Sequence, residues 1–157
     1  MKTKKLNKAI FGLGIIAGIR AMAALSMLSE HLVKHPSKKL ARTPLNFIQT
    51  RKAADVFKLL AAGEVLSDKL PFMPPRIKPT PLMARGLAGL IIGATLISTK
   101  SKAIGKGATL GLAAAIASSY IFYFLRKKPS EAGTLPNAIW GTMEDGFILK
   151  QGQKLLS

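Results

Sequence analysis

Three apolar runs of near bilayer length, separated by proline and lysine, constrain this chain more than any other feature. Ala9 to Leu28 holds a single charge, Arg20; Leu82 to Ser98 holds only Arg85; Ala103 to Leu125 is the longest and ends in Tyr120, Phe122, Tyr123 and Phe124 ahead of Arg126, Lys127 and Lys128. A helix needs about 20 predominantly apolar residues to cross the hydrocarbon core, and aromatics followed by basic residues are what a membrane–water interface selects. Two further segments, near 53–70 and 136–149, carry acids inside apolar sequence and read as re-entrant or interfacial helices. The pattern therefore predicts one all-α domain over residues 1–157, a polytopic transmembrane helix bundle with spans near 9–28, 82–98 and 103–125 and those two shorter acid-bearing helices.

Charge narrows the class. The chain has 24 Lys and Arg against 7 Asp and Glu, a net +17, yet 48% of its residues are hydrophobic. A basic soluble protein would be read as a nucleic-acid binder, but here the lysines gather in the breaks between apolar runs and form no single face. Anionic membrane lipid, not nucleic acid, is the expected partner, since each Lys or Arg near such a surface contributes on the order of 1 kcal/mol of attraction. The chain has no cysteine, which excludes disulfides, thiolate metal sites and thiol nucleophiles. No cofactor motif is present. The Lys-rich start followed by an apolar stretch and Ala21-Met22-Ala23 imitates a signal peptide, but Arg20 lies directly before the cut and later runs still need a membrane, so the segment is expected to stay attached. If every run crosses, basic residues divide evenly between the two sides and give no orientation.

Local signals place the helices. Thr80 reads as an N-cap with Pro81 at the first helical position. An earlier helix begins near Thr43-Pro44 or Thr50 and ends before Pro71. Within it Val56, Leu59, Leu60, Gly63, Leu66 and Leu70 form one apolar stripe, while Glu64 and Asp68, four apart, share another face turned away from Arg51, Asp55 and Lys58. Gly14 and Gly18, Gly89 and Gly93, and Gly107 and Gly111 are each four apart, a spacing that lets helix backbones approach within a bundle or between subunits of an oligomer. Ser26, Ser118 and Ser119 read as interhelical hydrogen-bond donors. An apolar span followed by a short acid-bearing segment occurs early and again late, the pattern by which transporters with internal repeats build a midplane site.

The candidate site is the set of ionisable residues within this apolar sequence: Arg20, Glu64, Asp68, Arg85, Glu144 and Asp145, with Lys69 and Arg76 beside the proline turn. A charge at bilayer depth costs roughly 2.5–3.5 kcal/mol on insertion scales, so such groups persist when they face partners or water. One reading is structural, with Arg20 and Arg85 neutralising the acids to hold the bundle. The other makes Glu64 and Asp68 one half, and Glu144 and Asp145 the other, of a proton or cation site tuned by the arginines. Arg76 and Lys69 are suited to a phosphate or lipid headgroup. Transport or binding of a small solute, ion or headgroup is the expectation; a non-catalytic scaffold and a metal-dependent lipid-phosphate enzyme are the alternatives, the identity of any metal being open. His31 and His35 lack a third ligand nearby and read as a solvated loop or a surface pH-sensitive patch.

Gly18-Ile19-Arg20-Ala21-Met22, Gly63-Glu64 followed by Asp68-Lys69-Leu70-Pro71, Pro75-Arg76, Arg85 with Gly89, and Leu135-Pro136 with Glu144-Asp145 together resemble the bacterial membrane family catalogued as domain of unknown function 4126. The resemblance spans nearly the whole chain and is most specific around Gly63 to Arg76. It implies a multi-pass protein of the bacterial inner membrane and supplies no activity, ligand or catalytic residue. Pro74 stands where the family pattern leads one to expect a small polar residue before the arginine.

Overall fold

The computed structural model describes residues 3–67, 79–100 and 103–131, together with residues 152 and 155. Among them every regular element is helical: α1 Thr3–Ile19, α2 Ala21–Lys34, α3 Arg51–Ser67, α4 Pro79–Ser98 and α5 Ile104–Glu131, with short 3-10 helices at Leu40–Arg42 and Pro44–Gln49. Two of these are long and apolar enough to cross a membrane, α4 with a mean hydropathy of 1.5 and Ile104–Leu125 of α5 with 1.6.

The expected span over 9–28 is not one helix. Arg20 is extended, with φ −141° and ψ 101°, and splits the run into α1 and α2. Beyond the break the chain turns back. Ile16 and Met27 both lie against Gly152, where a Cβ would sit 3.7 Å from Ile16 Cδ1 and would strike Met27 Sδ; a continuous helix would set those residues about 16 Å apart along its axis. Apolar length alone could not reveal this, because both arms of the turn remain apolar.

A second hairpin follows. Thr50 opens α3 as its N-cap, its Oγ1 accepting from the Ala53 N–H at 3.3 Å, which satisfies one of the donors a helix start leaves open. Lys58 pairs with Glu30 at 3.3 Å, and six residues further along α3 Glu64 reaches the start of α2, so α3 runs antiparallel to α2. The apolar stripe on α3 does not pack inward: Leu59 is 75% exposed and Leu66 65%, and a Cβ on Gly63 would meet nothing within 4 Å. Ala54, which is fully buried, and Phe57 face the core instead.

α1, α4 and α5 pack through their glycines. A Cβ on Gly93 would run into the Gly107 carbonyl oxygen, and one on Gly111 into the Gly89 carbonyl, so α4 and α5 cross antiparallel with backbones in contact. Gly14 meets Gly111 and Ala114, and Gly18 meets Ala115 and Ser118, which sets α1 parallel to α5. Side chains this small allow many dispersion contacts along the crossing. α4 starts at Pro79, two residues before the expected Pro81, because prolines are tolerated throughout a first turn whose N–H groups have no intrahelical partner. Ile10, Leu13, Leu28, Leu40, Ile48 and Ile92 are fully buried in the single core these helices enclose.

Candidate functional site

The break at Arg20 separates backbone groups that a continuous helix would pair. Met22 N–H would bond the Gly18 carbonyl and Ala21 N–H the Ala17 carbonyl. In the fold the Glu64 carboxylate takes both donors, Oε1 accepting from Ala21 N at 3.2 Å and Oε2 from Met22 N at 3.0 Å. The Gly18 carbonyl accepts from Ser119 Oγ at 3.0 Å, and one turn earlier Ile15 accepts from Ser118 Oγ at 3.0 Å. Arg20 itself keeps both helices in register, its N–H bonding Ile16 O at 2.7 Å and its carbonyl accepting from Ala24 N at 3.3 Å. The break is thus completed from both sides, by a carboxylate on the freed donors and a hydroxyl on a freed acceptor.

The electrostatics at this point favour negative charge. The open end of a helix carries about half a positive charge from its unpaired N–H groups, and hydrogen bonds from them to a carboxylate are charge-assisted and stronger than neutral ones. Arg20 is 4% exposed and Arg85 6%. The glycine register places Arg85 level with the break: Gly14 and Gly89 both meet Gly111, and one turn on from that level lie Gly18 on α1, Ala115 on α5 and Arg85 on α4. Leu125 lies about 10 Å of helix beyond Ser118, and Pro79 about 9 Å beyond Arg85. The backbone positions of Arg20 and Arg85, both buried, the helix start and Glu64 therefore belong to one level set in from the end of the α4–α5 pair.

Of the sequence-expected residues, Arg20, Glu64 and Arg85 are brought to this layer. Asp68, Lys69, Arg76, Glu144 and Asp145 lie outside the described residues, as does the expected helix near 136–149. Ser118 and Ser119 are the interhelical donors expected; Ser26 makes no interhelical hydrogen bond among the described residues, whereas Ser29, which the sequence did not single out, donates to the Ile48 carbonyl. The Ala21 and Met22 N–H groups also escaped sequence reading. Arg20 in mid-run was a signal of a special position there, but nothing local marked it as the place where the helix stops.

Away from this layer, the His31 and His35 rings meet at a tilt of 47° with centroids 5.0 Å apart. Burial, with the nearby His35 and Lys34 adding to it, holds the His31 imidazole below its ordinary pKa. The hydrogen bond from Lys58 lowers the Glu30 carboxyl, aided by Lys34 and Arg51 and opposed by slight burial. No group of three or more metal-ligating side chains occurs among the described residues.

Comparison with known proteins found no matching family model, no similar curated protein and no similar solved structure.

Proposed function

We propose that this chain is a multi-pass protein of the inner membrane that binds, and by exchange moves, an anionic group at the start of α2, with Glu64 as the resident anion that a ligand carboxylate or phosphate displaces. The group belongs to a small solute or a lipid headgroup. The observation that carries the reading is the pair of backbone donors at a mid-bundle helix break held by a side-chain carboxylate from another helix, in a layer shared with two buried arginines. Helix starts exposed by a discontinuity are suited to anionic substrate groups in transporters, and unpaired N–H groups with an aligned dipole bind phosphate and carboxylate readily.

Two further facts support membrane residence. Two helices have the length and apolarity to cross, and large apolar side chains stand exposed on them and on α3, among them Leu59, Leu66, Met83, Ile121 and Phe124. In lipid an outward apolar stripe is at no disadvantage, whereas in water a surface of this extent is an interaction surface.

A cation site at Glu64 is the weaker reading, because both its oxygens already accept from N–H groups and the surrounding field is positive. The scaffold reading loses its main support, since the glycine faces that suggested oligomer contacts are used within the bundle.

The test is binding of inorganic phosphate and of acetate to the protein in detergent, followed by uptake of whichever binds into proteoliposomes. Glu64→Gln is expected to tighten binding by removing the internal competitor, and Arg85→Gln to weaken it. Both variants binding as the natural sequence does, or no binding of either anion by any of the three, refutes the proposal.

A further inference from the structure

The break at Arg20 also changes which parts of the chain lie on the same side. A continuous span over 9–28 would put Lys5 and Lys8 at one end of the molecule and Lys38 and Lys39 at the other. In the fold α1 and α2 turn back on each other, and Lys39 Nζ donates to the Lys100 carbonyl at 3.1 Å, in the turn that joins α4 to α5. Because α1 runs antiparallel to α4 and parallel to α5, the starts of α1 and α5 lie at that same end. Lys8, Lys38, Lys39 and Lys106 are all exposed there. The acids described at that end are Glu30, held by Lys58 and Lys34, and Asp55, paired with Arg51 at 3.4 Å. What remains is a cationic face. At the opposite end α4 begins with Pro79 and Thr80, and α5 runs on into Arg126, Lys127 and Lys128.

The lengths agree with re-entry. α1 has 17 residues and α2 has 14, about 25 Å and about 21 Å of helix, each short of a hydrocarbon core of about 30 Å.

We propose that the α1–α2 hairpin enters the membrane and returns without crossing, so that the chain's first residues and the 34–52 segment share the cytoplasmic side and dock together on the anionic lipid of that leaflet. The even division of charge read from the sequence then becomes a strong bias. Short basic loops stay on the cytoplasmic side, where a negative surface potential adds its attraction for each lysine. The proposal rests on the reading of α4 and α5 as membrane spans, but not on anion binding at Glu64.

The absence of cysteine gives a direct test, since any thiol is one that is introduced. Asn7→Cys, Ala41→Cys and Thr80→Cys, all at exposed positions, are labelled with a membrane-impermeant maleimide in intact cells and again after permeabilisation. Asn46→Cys and Met83→Cys, also exposed, replace Ala41→Cys and Thr80→Cys should either fail to accumulate. The expected result is labelling of position 80 in intact cells and of positions 7 and 41 only after permeabilisation. Positions 7 and 41 on opposite sides would overturn the re-entrant hairpin while leaving the spans intact. All three on one side would remove the spans themselves. Positions 7 and 41 outside with 80 inside would overturn docking on the anionic leaflet. A companion variant, Lys38→Glu with Lys39→Glu, is expected to yield a mixed population with position 41 labelled in part from outside; unchanged protection there refutes the role given to the cationic face.

Discussion

Replacing Glu64 by alanine removes the carboxylate that accepts from the Ala21 and Met22 N–H groups. A hydrogen bond to a charged group contributes roughly 1.5–3 kcal/mol, and a buried donor left unsatisfied costs roughly 1–3 kcal/mol. Glu64 is half-buried, so water recovers part of both amounts. Taking the two bonds together with that discount gives about 3 kcal/mol, on the order of a 100-fold rise in the opening equilibrium of the first turn of α2. Hydrogen–deuterium exchange of the protein in detergent or nanodiscs reads this directly. The Ala21 and Met22 amides are expected to lose protection by that factor in Glu64→Ala, while amides in the α4–α5 crossing change little, because those helices pack through Gly89, Gly93, Gly107 and Gly111 without reference to Glu64. Glu64→Gln keeps one acceptor and places an amide donor against an N–H group, so its loss is expected to fall between. Unchanged exchange at Ala21 and Met22 in Glu64→Ala would refute the argument that the carboxylate holds the break together. A uniform loss across all five helices would refute the claim that its effect is local.

Other outcomes follow from the same geometry. Gly93→Ala is expected to destabilise markedly in thermal unfolding, because its methyl would meet the Gly107 carbonyl of a facing backbone, whereas Gly63→Ala, with open space around it, is expected to gain about 0.5–1 kcal/mol from the lower backbone entropy of the unfolded chain. Thr95 is fully buried and its Oγ1 makes no hydrogen bond among the described residues, so Thr95→Val is expected to leave stability unchanged or raise it by about 1 kcal/mol, read by the same unfolding measurement. Stability is expected to fall with acidification in two steps. His31 has its pKa lowered by burial, so the unfolded chain takes up the proton first, and its contribution, complete above about pH 6.5, declines as pH falls toward the folded value. Glu30 has its pKa lowered chiefly by Lys58, so its contribution is present above the ordinary carboxylate range and is lost as pH falls through the folded value. Lys58→Met is expected to flatten the second step only, and by less than about 1 kcal/mol, since the pair is partly exposed; a flattening of the His31 step instead would show the assignment to be wrong.

Much of the architecture was legible in the residues. α4 and α5 follow from apolar length bounded by proline and lysine, and their contact from paired glycines at a spacing of four. Ser118 and Ser119 could be placed because interhelical hydrogen bonding depends on residue type and helical register, and the start of α3 could be narrowed to Thr43-Pro44 or Thr50. Glu64 could be singled out because a carboxylate on the less polar face of a helix needs a reason to be there. The inward direction of α3 was not legible: an apolar stripe marks a face, and only the surroundings decide whether that face meets a core or stands outside it.

What the sequence determined by itself, then, is where helices form, which surfaces allow close approach, and that Arg20, Glu64 and Arg85 sit in apolar company. Only the tertiary structure decided that the run over 9–28 stops at Arg20 and reverses. A break in the middle of a helix takes backbone N–H and C=O groups from their helical partners, and whether that cost is met depends on groups far away in the chain, here the Glu64 carboxylate some forty residues on and the Ser119 hydroxyl about a hundred residues on. No local pattern can report partners at that separation, and so neither the site at the start of α2 nor the cationic end of the molecule was visible before the helices were in place.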